Sequence, residues 1–351
     1  MRSLTFVILP MAMLSLLVGI LGGWVRIGWH IEGMQLASVN HGILMLGSFL
    51  GTLVALERVI TLNKWWAWLA PFLMGFSLPL HLIGQPKAAL WSLAMGALLY
   101  LLVTFLHLSR SVVRGQVLLS IGAFFQFLAI AVFLSLHSYT MAVAAWFLAF
   151  LFTIVGERLE LTRFLPTSKK ALFELSFWLL ATVLGTAIYH SHSSIWAGIA
   201  FFGVAQWLLR YDIALINIEK SGSYRFLGYA LVGGFLWLAV FGLLSIIRPD
   251  TAFLYDAVVH SFFIGFILSM ILAHAPIIFP SILGLRGKPF HPVLYVWLIL
   301  LHLSLLMRIS GDLWAVAELR KWGGLFNGLS FLLYLITVIF LMVQSHLKEK
   351  K

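Results

Sequence analysis

The sequence predicts an all-α polytopic membrane protein of about twelve transmembrane helices, on three observations. The first is composition: 62% of the 351 residues are hydrophobic and only 10% are charged, with a mean hydropathy of +1.03. Soluble domains hold about 45–50% apolar residues, so a soluble globular enzyme is excluded, and the low charge excludes a disordered chain. The second is arithmetic: the apolar positions, about 218 in all, suffice for roughly 11 spans of about 20 residues. The runs are continuous and do not alternate, which argues against an outer-membrane β-barrel. The third is the placement of charge. The 23 Lys and Arg residues, and with them the net charge of +11, fall between apolar runs, so they read as topology signals at a lipid surface and not as a nucleic-acid footprint. The chain has no cysteine, which removes disulfides, thiolate metal sites and iron–sulfur clusters.

Taken in order, the apolar runs start near Leu4, Leu36, Trp65, Ala88, Val117, Thr140, Ala171, Ile195, Phe226, Phe253, Val293 and Leu325. The first, Leu4 to Val25, has no small-residue cleavage site and reads as a retained span. The eighth is short or tilted, because Arg210 and Asp212 interrupt it after about 15 apolar-rich residues. The connections are short, so residues 1–351 read as one transmembrane domain. With twelve spans both termini share a side. Seventeen of the 23 basic residues then lie on that side, including Arg58, Arg158, Arg163, Arg286 and Lys288, against six on the other: Arg26, Lys87, Arg248, Arg308, Arg320 and Lys321. The excess places both termini in the cytoplasm of an inner membrane.

Internal similarity suggests three four-helix units, 1–110, 111–220 and 221–351. Glu57-Arg58 and Glu157-Arg158 lie 100 residues apart at the ends of spans two and six. His41-Gly42-Ile43-Leu44-Met45 opens span two, and His260-Ser261-Phe262-Phe263-Ile264 stands at the matching depth of span ten. The glutamate–arginine pairs read as ion pairs that fix helix ends, or as a point of proton entry.

The 12 histidines are the unusual feature, since histidine within membrane helices is rare without a function. His41 and His260 meet the demands of a bis-histidine haem b: similar depth, different helices, apolar surroundings. The alternative is a hydrogen bond from each to a neighbouring helix. Gly42, Gly47, Gly51 and Gly265 offer room for a flat ring or for close helix packing. Arg308 and Arg320 stand where they would neutralise propionates. Asp256, one helical turn before His260, would orient its imidazole. His274 is a candidate for a second haem or for copper, and His302, mid-membrane, is a metal ligand or a polar contact. His190-Ser191-His192 is a surface copper site or a solvated loop. No phosphate loop, nucleophile elbow or zinc-protease motif occurs, so the sequence names no catalytic group.

Two resemblances follow from these residues. Twelve helices with haem histidines on the second and tenth resemble subunit I of the haem-copper oxidases, and His41-Gly42-Ile43-Leu44-Met45 is similar to the second-helix motif of that family. The copper-ligating histidines of its sixth and seventh helices have no counterpart here, and Phe262 replaces the neighbouring tenth-helix histidine. The stretch His260 to Met270, His274 and Leu306-Met307-Arg308 more closely resemble the NnrS family of haem- and copper-containing membrane proteins. The residues around His274, namely Ala273, Ala275 and Pro276, depart from that family's pattern. The NnrS resemblance implies one haem, copper as a further metal, and a role in nitric oxide stress or in electron transfer with a quinone or similar partner. A secondary transporter and a cofactor-free membrane assembly factor are the rival classes.

Overall fold

The computed structural model describes residues 4–62, 64–162, 167–187, 194–284 and 289–349. His190, His192, Arg163, Arg286 and Lys288 lie outside them. Among the described residues the chain is helical and has no strand. Contacts divide it into two units, Met1–Leu161 and Thr162–Lys351. That boundary falls inside the second of the three units expected from spacing.

Unit 1 holds α1 (Thr5–Arg26), α2 (His41–Ile60), α3 (Leu69–Leu82), α4 (Pro86–Arg110), α5 (Arg114–Leu136) and α6 (Tyr139–Leu161). A short helix, Gln35–Val39, precedes α2, and a 3-10 turn, Trp65–Trp68, leads into α3. The single run expected from Leu36 is therefore two pieces, parted at Asn40, whose side-chain amide turns back to the Leu36 carbonyl at 2.9 Å. The α5–α6 pair packs backbone to backbone. A Cβ on Gly115 would lie 2.7 Å from the Gly156 carbonyl oxygen, and one on Gly122 would lie 2.9 Å from that of Ala149. Small residues at such crossings allow van der Waals contact between helices in lipid, where the hydrophobic effect is absent.

Unit 2 holds α7 (Lys169–Ala187), α8 (Ile195–Tyr211), α9 (Gly222–Ile247), α10 (Leu254–Leu283), α11 (Val293–Leu313) and α12 (Ala317–Glu349). Ten of these helices in the two units are long and apolar enough to cross a membrane. The two outside that set are α3, with 14 residues, and α8, with 17. The latter ends where the charges of Arg210 and Asp212 foreshadow it, and the Asp212 carboxylate accepts the Ala214 amide at 2.8 Å. The last helix begins at Ala317, well before the expected Leu325, and takes in Arg320 and Lys321. Arg320 is tolerated there because two carboxylates receive it.

Helix α2 contains an eight-residue π-helical segment, Leu44–Gly51, and α10 contains another, Ser261–Leu268. Both are followed at once by a hydroxyl residue that bonds the carbonyl four residues back: Thr52 to Ser48 at 2.5 Å and Ser269 to Gly265 at 2.6 Å. A π-helix moves each amide to the carbonyl five residues back, which leaves the carbonyl at four for another donor. In α2 a second donor reaches the segment from α5, where the Gln126 amide lies 3.2 Å from the Leu46 carbonyl.

Candidate functional site

Each π-helical segment is entered through a histidine. In unit 1, His41 opens α2, and its Nδ1 lies 2.7 Å from the Gly19 carbonyl of α1. The ring rests on α1 at Gly23, where a Cβ would come within 2.8 Å of its Cε1. This pair of glycines is the seat of His41. Neither stood out in the sequence; the small-residue spacing Gly19, Gly22, Gly23 within an apolar run is the signal that marks it.

In unit 2, His260 precedes the π segment of α10. Its Nδ1 lies 2.7 Å from the Asp256 backbone carbonyl and 3.5 Å from the Asp256 carboxylate. The expected link between Asp256 and His260 is thus made chiefly through the backbone. The carboxylate is engaged elsewhere: its Oδ2 accepts from Arg308 at 3.0 Å and from Arg320 at 3.1 Å. Arg320 also donates through Nε to Asp312, whose side chain is fully buried, and its guanidinium stacks 3.6 Å over the Phe253 ring. Two arginines and two carboxylates close a neutral network. The α11–α12 hairpin puts them in register through glycines. A Cβ on Gly323 would lie 2.6 Å from the Arg308 amide nitrogen, and one on Gly311 would meet the Arg320 backbone. Asp312 escaped sequence reasoning, although it stands four residues after Arg308 on one helix face.

The four glycines read as room for a ring or for packing serve packing. Tyr139 covers Gly42, Leu93 covers Gly47, Gln126 and Met74 cover Gly51, and Trp237 covers Gly265. The indole of that Trp237 donates to His302 Nδ1 at 3.0 Å. An indole N–H only donates, so His302 Nδ1 accepts and its proton sits on Nε2. That makes His302 the polar contact and not a ready metal ligand. His274, lower on α10, has Nδ1 2.7 Å from the Met270 carbonyl. Among the described residues no group of three or more metal-ligating side chains gathers.

The two glutamate–arginine pairs 100 residues apart do meet, inside unit 1. Arg58 donates to Glu157 at 2.9 Å and lies 3.4 Å from Glu57 and 3.7 Å from Glu160. The His107 Nε2 reaches the Arg58 carbonyl at 3.1 Å. These contacts tie α2, α4 and α6 together at one end of the unit.

A profile of the family described as "Domain of unknown function (DUF8744)" matches residues 4–343. No curated protein and no solved structure matches the chain.

Proposed function

The chain belongs to the DUF8744 family, and we propose that it is a multi-pass membrane protein in which His41 and His260 ligate b-type haem. One observation carries the reading: both rings stand at the mouth of a π-helical segment with Nδ1 on a backbone carbonyl. A carbonyl only accepts, so Nδ1 holds the proton and Nε2 holds the lone pair, the tautomer that iron requires. The π-helix is itself a feature that clusters at functional sites. Bound haem would supply electron transfer or binding of a diatomic ligand. The chain's own part is to fix the imidazoles and to present Arg308 and Arg320. Those arginines already serve Asp256 and Asp312, so propionates would share them and not monopolise them.

The finer reading, carried by resemblance alone, is an NnrS-like protein with twelve spans in an inner membrane and both termini cytoplasmic. It handles nitric oxide stress or passes electrons to a quinone or similar partner. Copper, if part of that function, falls to His274, since the His302 tautomer disfavours it. The purified protein is expected to show a Soret band and a pyridine haemochrome, and His41→Ala and His260→Ala each to abolish the low-spin spectrum. A colourless protein from haem-replete cells ends this reading.

One observation favours a second reading, a secondary transporter. Transporters place irregular helix geometry at their binding sites, and α2 and α10 both depart from α-helical geometry near their middles. Substrate uptake by vesicles that survives removal of both histidines would select it.

A further inference from the structure

Four histidines in the described helices place Nδ1 on a backbone carbonyl. Three use the carbonyl four residues back in their own helix: His81 on Ser77 at 2.9 Å, His260 on Asp256 at 2.7 Å and His274 on Met270 at 2.7 Å. His41 does not. Its Nδ1 reaches the Gly19 carbonyl of α1, 22 residues away in sequence. The carbonyl four residues before His41 is that of Ala37, which belongs to the short helix Gln35–Val39. Between that helix and α2 the chain breaks at Asn40, with φ −95° and ψ 9°.

Tyr139, the first residue of α6, is wedged at that break. Its hydroxyl donates to the Val39 carbonyl at 3.4 Å and accepts from the Ile43 amide at 3.3 Å. An uninterrupted α-helix joins those two groups to each other, carbonyl i to amide i+4. A phenol both donates and accepts, so one hydroxyl stands in for one helix bond, and a side chain inserted in this way interrupts a helix. The ring is held on two sides. It covers Gly42, where a Cβ would come within 2.6 Å of its Cε1, and it lies 4.5 Å from the Phe133 ring of α5. With the hydroxyl removed, the Val39 carbonyl and the Ile43 amide are free to pair. The helix would then run on through Asn40, and the Ala37 carbonyl would come within reach of His41 Nδ1. The ring would take the same kind of partner as the other three and leave α1.

We propose that Tyr139 is a positioning residue for His41. Its hydroxyl holds the helix open just before the histidine, which turns the ring off its own helix and onto Gly19 and Gly23. The consequence for haem rests on the ligation reading above; the positioning itself belongs to the haem-free chain. Both alternative partners of Nδ1 are carbonyls, so the proton stays on Nδ1 in either arrangement. What Tyr139 sets is the direction of Nε2 and not the tautomer.

The test uses the full-length protein in lipid nanodiscs. The chain has no cysteine, so spin labels on Leu36→Cys and Thr61→Cys report only the two ends of the broken helix. In haem-free protein, Tyr139→Phe, which keeps the ring over Gly42, should change the label separation by about 3 Å, on the order of two residues of helical rise. Carbethoxylation of His41 should run roughly fivefold faster, the factor carried by one lost hydrogen bond, with His260 unchanged. Adding Ile43→Pro should restore both readings. Proline has no amide with which to close the helix, and the φ of −69° at position 43 already suits its ring. A role for Tyr139 in packing alone would not be repaired this way, and the double variant carries the test if Tyr139→Phe does not fold. In haem-replete cells the single variant should weaken the low-spin spectrum and the double variant regain it. A colourless wild type ends the ligation reading and leaves label separation and His41 reactivity to judge the positioning. Both unchanged in Tyr139→Phe, or a double variant that does not fold or does not restore them, would overturn the proposal.

Discussion

His41 and His260 both enter a π-helical segment, yet the first ring is fixed by a neighbouring helix and the second by its own. His41 bonds Gly19 of α1 across a helix contact that only glycine permits. His260 bonds the carbonyl one turn back in α10, and the charged network of Asp256, Arg308, Arg320 and Asp312 surrounds that turn. Tautomer control needs only an acceptor at the right place. The first solution makes the ring depend on helix–helix distance, and the second makes it depend on local charge balance. The two histidines should therefore fail in different ways when their surroundings are altered.

The largest effect is expected on the charged side. Asp312→Ala leaves Arg308 and Arg320 to share the one carboxylate of Asp256, with a buried positive charge uncompensated, and removing one partner of such a network costs about 3–5 kcal/mol. Equilibrium unfolding in mixed micelles measures it, and a loss under about 1 kcal/mol would mean that the network is solvated and the contrast false. Next comes Gly23→Ala, whose methyl must displace the His41 ring, at about 1–3 kcal/mol. Its signature is faster carbethoxylation of His41 with His260 unchanged; equal change at both would erase the distinction between them. Trp237→Phe removes one hydrogen bond from His302 and should cost about 1 kcal/mol, read as a small drop in the thermal midpoint with no change at the α2 π segment, while the α10 segment, on which Trp237 packs at Gly265, is the one exposed to it. The smallest effect is expected from Ser77→Ala, which breaks the hydroxyl pair with Ser48, about 0.5–1.5 kcal/mol. It sharpens the comparison by showing whether the α2 segment leans on α3 as His41 leans on α1.

Charge was the legible part of this molecule. In an apolar chain every ionised residue is costly, so Glu57-Arg58 and Glu157 stood out, and the structure joins them at 2.9 Å. Asp256, Arg308 and Arg320 are marked in the sequence as well, but as the orienter of His260 and as counter-ions to propionates, not as partners of one another. Packing was less legible. Gly19 and Gly23 look like any other glycines in an apolar run, because what marks them is the ring on another helix. The π segments left no trace in composition; only the closing hydroxyls of Thr52 and Ser269 hint at them. Repeat spacing suggested divisions near 110 and 220, whereas contacts divide the chain after Leu161, since similarity between helices does not say which neighbours they pack against.

The brevity of α3 has a consequence for the lipid. Its fourteen residues rise about 21 Å, and the 3-10 turn Trp65–Trp68 that runs into it adds about 8 Å, so only the two together come close to the hydrocarbon layer of about 30 Å. For α3 to reach across a bilayer that turn must stay wound, and a thicker layer strains it. Acyl-chain length thus becomes a variable that acts on one edge of unit 1 in particular. The protein should prefer membranes of shorter chains, and thicker ones should press first on the helix that bears Ser77 and His81.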